Sequence, residues 1–175
     1  MIKIVLTASL ITIFLLTTSG LAQDSAGAPG CGDPKVKFEV KTAKVRQSAQ
    51  PEEGKALLYF IEDDSNFGSS PKPTARMGVD GDWVGATHGS SYLSVSVDPG
   101  VHHLCASWQT TVVVGMGHMT SAAHFTAEAG NVYYFVVRDI WVRDGLRDMS
   151  LGPLDSDEGQ LLVNRFSLST SHPKD

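Results

Sequence analysis

Two turn signals in the middle of the chain constrain its fold more than any other feature. Val79-Asp80-Gly81-Asp82-Trp83-Val84-Gly85 sets Asp-Gly between strand-like residues, and Tyr92-Leu93-Ser94-Val95-Ser96-Val97-Asp98-Pro99-Gly100-Val101-His102 does the same with Asp-Pro-Gly. Asp and Gly reach the backbone conformations that tight turns demand, and the flanking residues favour extended chain. The pair predicts two consecutive β-hairpins and so an antiparallel, all-β centre.

The segments around them carry the same signal. Lys35 to Lys41 alternates, with Val36, Phe38 and Val40 on one face and charges on the other, as in a half-buried strand at or near a sheet edge. Lys55 to Glu62 is continuously apolar between charges and reads as a central strand buried on both faces. Asp63 to Thr74, with its Gly, Ser and Pro residues, is a loop. Further strands are predicted over Arg76–Val79, Trp83–Thr87, Tyr92–Val97, Val101–Trp108, Met119–Glu128 and Val132–Val137, with Thr111–Val114 leading into a Gly115-Met116-Gly117 bulge or turn. Asp155 and Glu158 have capping-box spacing, which predicts a short helix over 156–165 with Leu161, Leu162 and Phe166 as its apolar side. The fold class that follows is all-β, an antiparallel β-sandwich with a short C-terminal helix.

The N-terminus has the three-part plan of a secretory signal peptide: Lys3, an apolar run from Ile4 to Leu16, and small residues ending at Ala22. The run is shorter than the ~20 residues that span a bilayer, so no membrane span is expected after cleavage. The domain reading is a signal peptide over 1–22, a linker over 23–34, the sandwich over 35–170 and a tail over 171–175. Removing 22 of 175 residues leaves 153, one domain's worth. It also removes Lys3, leaving 13 basic against 19 acidic residues, a net charge near −6 that disfavours nucleic acid. Cys31 and Cys105 make an even count in a chain read as exported, to the periplasm or beyond, and are expected to form a disulfide. Lipid attachment at Cys31 is disfavoured by the Ala28-Pro29-Gly30 triplet before it.

Catalytic and metal chemistry find little support. His88, His102, His103, His118, His124 and His172 are the candidate ligands. His102 and His103 are strand neighbours on opposite faces, while six strand residues hold His118 and His124 roughly 20 Å apart. At most one of each pair, such as His102 with His124, could share a site. Met116, His118 and Met119 suit copper(I) chemically but sit in a Gly-x-Gly context that reads as a bulge. Glu62-Asp63-Asp64 reads as a solvated strand end rather than an acid–base pair. No catalytic residue, metal site or cofactor is assigned. Three Arg-Asp dipeptides at 138–139, 143–144 and 147–148 surround Trp141, with spacings that would pair on a helix. Trp141, Arg143 and Arg147 are the leading partner-binding candidates, followed by Phe67 in the loop Asn66–Thr74.

Gly54-Lys55-Ala56-Leu57-Leu58-Tyr59-Phe60, the Val-Asp-Gly hairpin, the strand from Tyr92 and Pro99-Gly100-Val101-His102 together resemble the bacterial domain-of-unknown-function family 2846. The resemblance covers Gly54 to Val137. It implies an exported or lipid-anchored β-rich domain, loosely similar to PEGA-type surface modules, and no catalytic residue. The expected role is a non-enzymatic, envelope-associated binding or structural module whose partner is a protein or an envelope polymer. The alternatives are a periplasmic hydrolase on the same scaffold and a periplasmic metal-binding protein.

Overall fold

The computed structural model describes residues 28–45, 49–68, 70–109, 119–141 and 147–175, with backbone alone at 141 and 147. The predicted signal peptide, Thr111–Val114, Met116, His118 and Arg143 lie outside the described residues. The elements run β1 (Phe38–Ala43), β2 (Ala56–Asp63), β3 (Thr74–Val79), β4 (Asp82–His88), β5 (Ser91–Val97), β6 (Gly100–Trp108), β7 (Thr120–Ala127), β8 (Val132–Trp141), β9 (Arg147–Leu154), α1 (Ser156–Arg165) and β10 (Ser167–Pro173).

They form two sheets, a six-stranded one in the order β1-β10-β5-β2-β8-β9 and a four-stranded one in the order β4-β3-β6-β7. Pairing is largely antiparallel, but β2 with β8 and β10 with β5 run parallel, so the large sheet is mixed. Leu58 and Phe60 of β2 and Phe135 and Val137 of β8 meet Met77 of β3 and Leu104 and Trp108 of β6 in one core between the sheets. The other face of β2 (Leu57, Tyr59, Ile61) is buried as well, under Leu162 of α1. That second cover explains the unbroken apolar run of this strand, and β1 takes the edge position its charged face suits.

The first turn is the hairpin its sequence predicts. Asp80 and Gly81 both have positive φ, at 53° and 93°, and join β3 to β4 in register. The second is not a hairpin. β5 is already paired on both edges, by β2 and β10, and β6 lies between β3 and β7 in the other sheet. Pro99 offers no backbone donor and Gly100 has φ 144°, so Asp98-Pro99-Gly100 carries the chain across from one sheet to the other.

The disulfide between Cys31 and Cys105 is present. It bonds residues 28–34, read from sequence as a linker, to the outer face of β6. α1 covers the range expected, with Asp155 Oδ1 accepting from the backbone N–H of Asp157 and Glu158. Glu158 does not return to the cap: its Oε1 accepts from Arg138 Nη2 at 2.9 Å. Leu162 is buried, but Leu161 is 64 % exposed and does not belong to the packed side. Where they are described, the Arg-Asp dipeptides lie in strands and not in a helix: Arg138 and Asp139 in the second half of β8, Arg147 and Asp148 at the start of β9, with 143–144 outside the described residues. β10 continues to Pro173 and pairs with β1, taking in part of the segment read as a tail.

Candidate functional site

The outer face of the large sheet brings three tyrosines together. Parallel pairing of β2 with β8 sets Tyr59 directly beside Tyr134, and their rings stack with centroids 5.2 Å apart and planes 12° from parallel. Tyr92 comes from β5 on the other side of β2, opposite Ile61, and its ring centroid lies 5.9 Å from that of Tyr59. All three rings are buried and make a floor.

Helix α1 lies across this floor because Gly159 allows it. A Cβ at Gly159 would collide with the Tyr134 ring, so the helix axis can approach this closely only with hydrogen there. Ser156, Gln160, Val163 and Asn164 then fall on one stripe of the helix facing the tyrosines. Ala49 and Gln50, ahead of β2, close the opposite side, and Val132 stands at the start of β8. The pocket, open at its rim, measures about 400 Å³.

Its chemistry is polar and uncharged. Among the described residues the lining holds phenols, carboxamides and one hydroxyl beside small apolar groups, with no acidic or basic side chain. Burial pushes the Tyr59 and Tyr134 phenols above the usual tyrosine value, so both stay neutral O–H donors in ordinary conditions. Gln50, Gln160 and Asn164 stand exposed at the rim, where each can both donate and accept. A floor of fixed aromatic groups under a rim of amides suits a neutral ligand rich in hydroxyl or amide groups.

A second, wider cleft of about 550 Å³ runs beside Trp83. Its tryptophan is already engaged: Nε1 donates to the Asp33 carbonyl at 2.7 Å, and the Arg76 guanidinium sits 4.5 Å from the ring centroid. That arrangement holds the N-terminal segment in place.

Of the residues predicted as partner-binding, Phe67 is the one whose side chain is described, and it does not line the tyrosine pocket. Phe67 is 2 % exposed and packs edge-on against Trp108, so it is a core residue and not an exposed anchor. Trp141 and Arg147 face each other in the β8–β9 register, their side chains outside the described residues, as is Arg143. The histidines pair differently from the arrangement considered in sequence: His103 lies opposite His124 and His102 opposite Phe125. Among the described residues no group of three or more His, Cys, Asp or Glu is placed to hold a metal ion.

Glu62 and Asp64 are not a solvated strand end. They are 0 % and 4 % exposed, and Asp139, also 0 % exposed, joins them from β8. Glu62 points into the core because it continues the inward series Leu58, Phe60; Asp139 does so after Phe135 and Val137. Burial, then the charge of Asp139, pushes Glu62 well above the usual carboxylate range. Burial pushes Asp139 up to about 6 even though Trp108 Nε1 donates to its Oδ1 at 2.9 Å.

No protein-family model, curated protein or solved structure matches the chain, so the resemblance to family 2846 rests on the quoted turns and strands alone.

Proposed function

We propose that the protein is an exported, non-enzymatic β-sandwich binding module, and that the tyrosine-floored pocket receives a neutral saccharide unit of an envelope polymer. The observation that carries this reading is the uncharged lining: phenols below, carboxamides at the rim, in a volume of about 400 Å³. Sugars offer hydroxyls that both donate and accept, which matches this set of described lining groups. The Cys31–Cys105 disulfide is compatible with an oxidising compartment. Among the described residues no helix is long and apolar enough to cross a membrane. The likeness of Gly54–Val137 to exported family 2846 domains supports the same compartment. A hydrolase would need an acid that reaches substrate, whereas Glu62 and Asp139 are fully buried and line neither cleft.

Isothermal titration with two neutral probes, chitotetraose and maltotetraose, tests the reading. Binding of at least one is expected, weakened about fivefold by Gln160→Ala or Asn164→Ala, the worth of roughly 1 kcal/mol of hydrogen bonding. Both side chains are exposed, so thermal stability should hold. No heat from either probe up to about 10 mM, or affinity untouched by both substitutions, overturns it.

A further inference from the structure

Glu62 and Asp139 present a physical problem that hydrogen bonds within the fold do not solve. They stand on adjacent parallel strands, where Glu62 is level with Val137 and Asp139 lies two residues further along the same inner face. Both are 0 % exposed. Trp108 satisfies one oxygen of Asp139, but Asp139 Oδ2 and both oxygens of Glu62 have no hydrogen-bond partner. Thr87 of β4, itself fully buried, is the hydroxyl near enough to Glu62 to favour its charged form, and burial and the charge of Asp139 outweigh it.

The charges around the pair make matters worse for two anions. Asp63 and Asp64, at the end of β2, add further negative charge. Among the described residues the nearby cation, Lys72, is already held: its Nζ donates to the Asp64 and Phe67 carbonyls at 3.0 and 2.7 Å and lies 3.5 Å from Asp64 Oδ2. Arg138, next to Asp139 in sequence, points to the other face of the sheet and pairs with Glu158. Two adjacent carboxylates cannot both stay ionised in such a place without a cation. A single proton changes the accounting. It removes one charge and turns one oxygen into a donor aimed at an oxygen that lacks one.

We propose that the folded protein holds a proton between Glu62 and Asp139, and that this proton is a pH-operated lock joining β2 and β8 to the Trp108 end of β6. The shifts agree: both groups keep their protons in the fold at pH values where an unfolded chain has lost them. The stability that the protonated pair gives is complete below the ordinary carboxylate range near pH 4, falls as pH rises through about 6, where Asp139 gives up its own proton and the pair keeps one between them, and is lost when that last proton leaves. Release leaves two anions in the core beside the Trp108 indole, whose N–H bonds to one of them.

Denaturant unfolding between about pH 5 and 8 provides the test, with all chains carrying His102→Gln to remove that residue's own titration. The parent should unfold more readily at pH 8, its unfolding constant higher by about tenfold or more. Glu62→Gln and Asp139→Asn keep the shape and each removes one of the two titrating groups, so each should lower that slope while equalling or exceeding the parent at pH 8. Equal slopes in parent and both variants overturn the proposal. Should either variant fail to fold, ¹³C carboxyl titration of the parent decides: Glu62 and Asp139 both titrating at ordinary carboxylate values refutes the lock, and either titrating near or above 6 supports it.

Discussion

His102 shows how one side chain can tie two turns together. Its Nδ1 lies 2.6 Å from Asp80 Oδ2 in the β3–β4 turn, and its Nε2 lies 2.6 Å from the Asp98 carbonyl in the crossing between the sheets. Both partners are acceptors, so only the imidazolium, with a proton on each nitrogen, can donate to both. Partial burial works against the charged ring, but the Asp98 and Asp80 hydrogen bonds outweigh it and raise its pKa above the usual histidine value. The stability this contact gives is therefore complete below about pH 6.5 and lost as pH climbs through the raised value. Asp80 is half exposed, which keeps the contribution under about 1 kcal/mol. NMR titration of the imidazole should place its pKa above about 6.5, and His102→Gln should lose stability at pH 6 but little at pH 9; a pKa at or below 6.5 contradicts this. Neither this contact nor the Glu62–Asp139 pair was legible residue by residue. Charges beside a turn or at a strand end look solvated until the register shows what they face.

Elements differ in how openly they announce themselves, and the reason is what each one touches. β2 and β8 were legible because both faces are buried, which leaves continuous apolar runs. α1 was legible through its cap. β9 was not, although Met149 and Leu151 alternate inward, because Gly152 and Pro153 break the pattern; Pro is tolerated there since β9 is an edge strand. β10 is a polar run whose buried members include Ser169, bonded to Ser91 Oγ at 2.8 Å, so it carries no hydrophobic signal. Turn chemistry had a limit too, since Asp-Pro-Gly serves a crossing between sheets as readily as a hairpin. The tyrosine floor was beyond reach because Tyr59, Tyr92 and Tyr134 meet only through pairings of β2 with β5 and β8. What could have hinted at it is the polar stripe Ser156, Gln160, Asn164 on a helix that must cover a sheet. The approach of α1 to that sheet yields a sharp prediction at Gly159. Ala is better than Gly inside a helix by about 1 kcal/mol, yet its Cβ would strike the Tyr134 ring. Gly159→Ala should therefore cost a net 1–3 kcal/mol or so in urea unfolding, while Leu161→Ala, on the exposed face, should stay within about 0.5 kcal/mol. A Gly159→Ala protein more stable than its parent would show that α1 does not dock this closely.

At the scale of the molecule, each sheet buries one face against the other and hands its second face to a different cover. α1 covers the large sheet. The small sheet is covered by residues 28–36, a segment with no regular structure that depends on a few specific bonds. Cys31 is linked to Cys105, Arg76 Nη1 donates to the Pro34 and Val36 carbonyls at 2.9 and 2.8 Å, and Trp83 Nε1 donates to Asp33. Cys105 is 0 % exposed beneath this cover, and the link closes a separation of 74 residues. In the chain-entropy account a loop of that length is worth about 4 kcal/mol, less whatever order the unfolded chain keeps. The cover has little apolar surface of its own, so the disulfide does for it what Leu162 and Gly159 do for α1. Cys31→Ala with Cys105→Ala should lower stability by about 2–4 kcal/mol. The loss should also be local before it is global. Hydrogen exchange at the Trp83 indole should quicken markedly in the double variant under native conditions, while the Trp108 indole, sealed between the sheets, keeps its protection. Equal protection of Trp83 with and without the disulfide would mean that Arg76 and Trp83 hold the cover unaided.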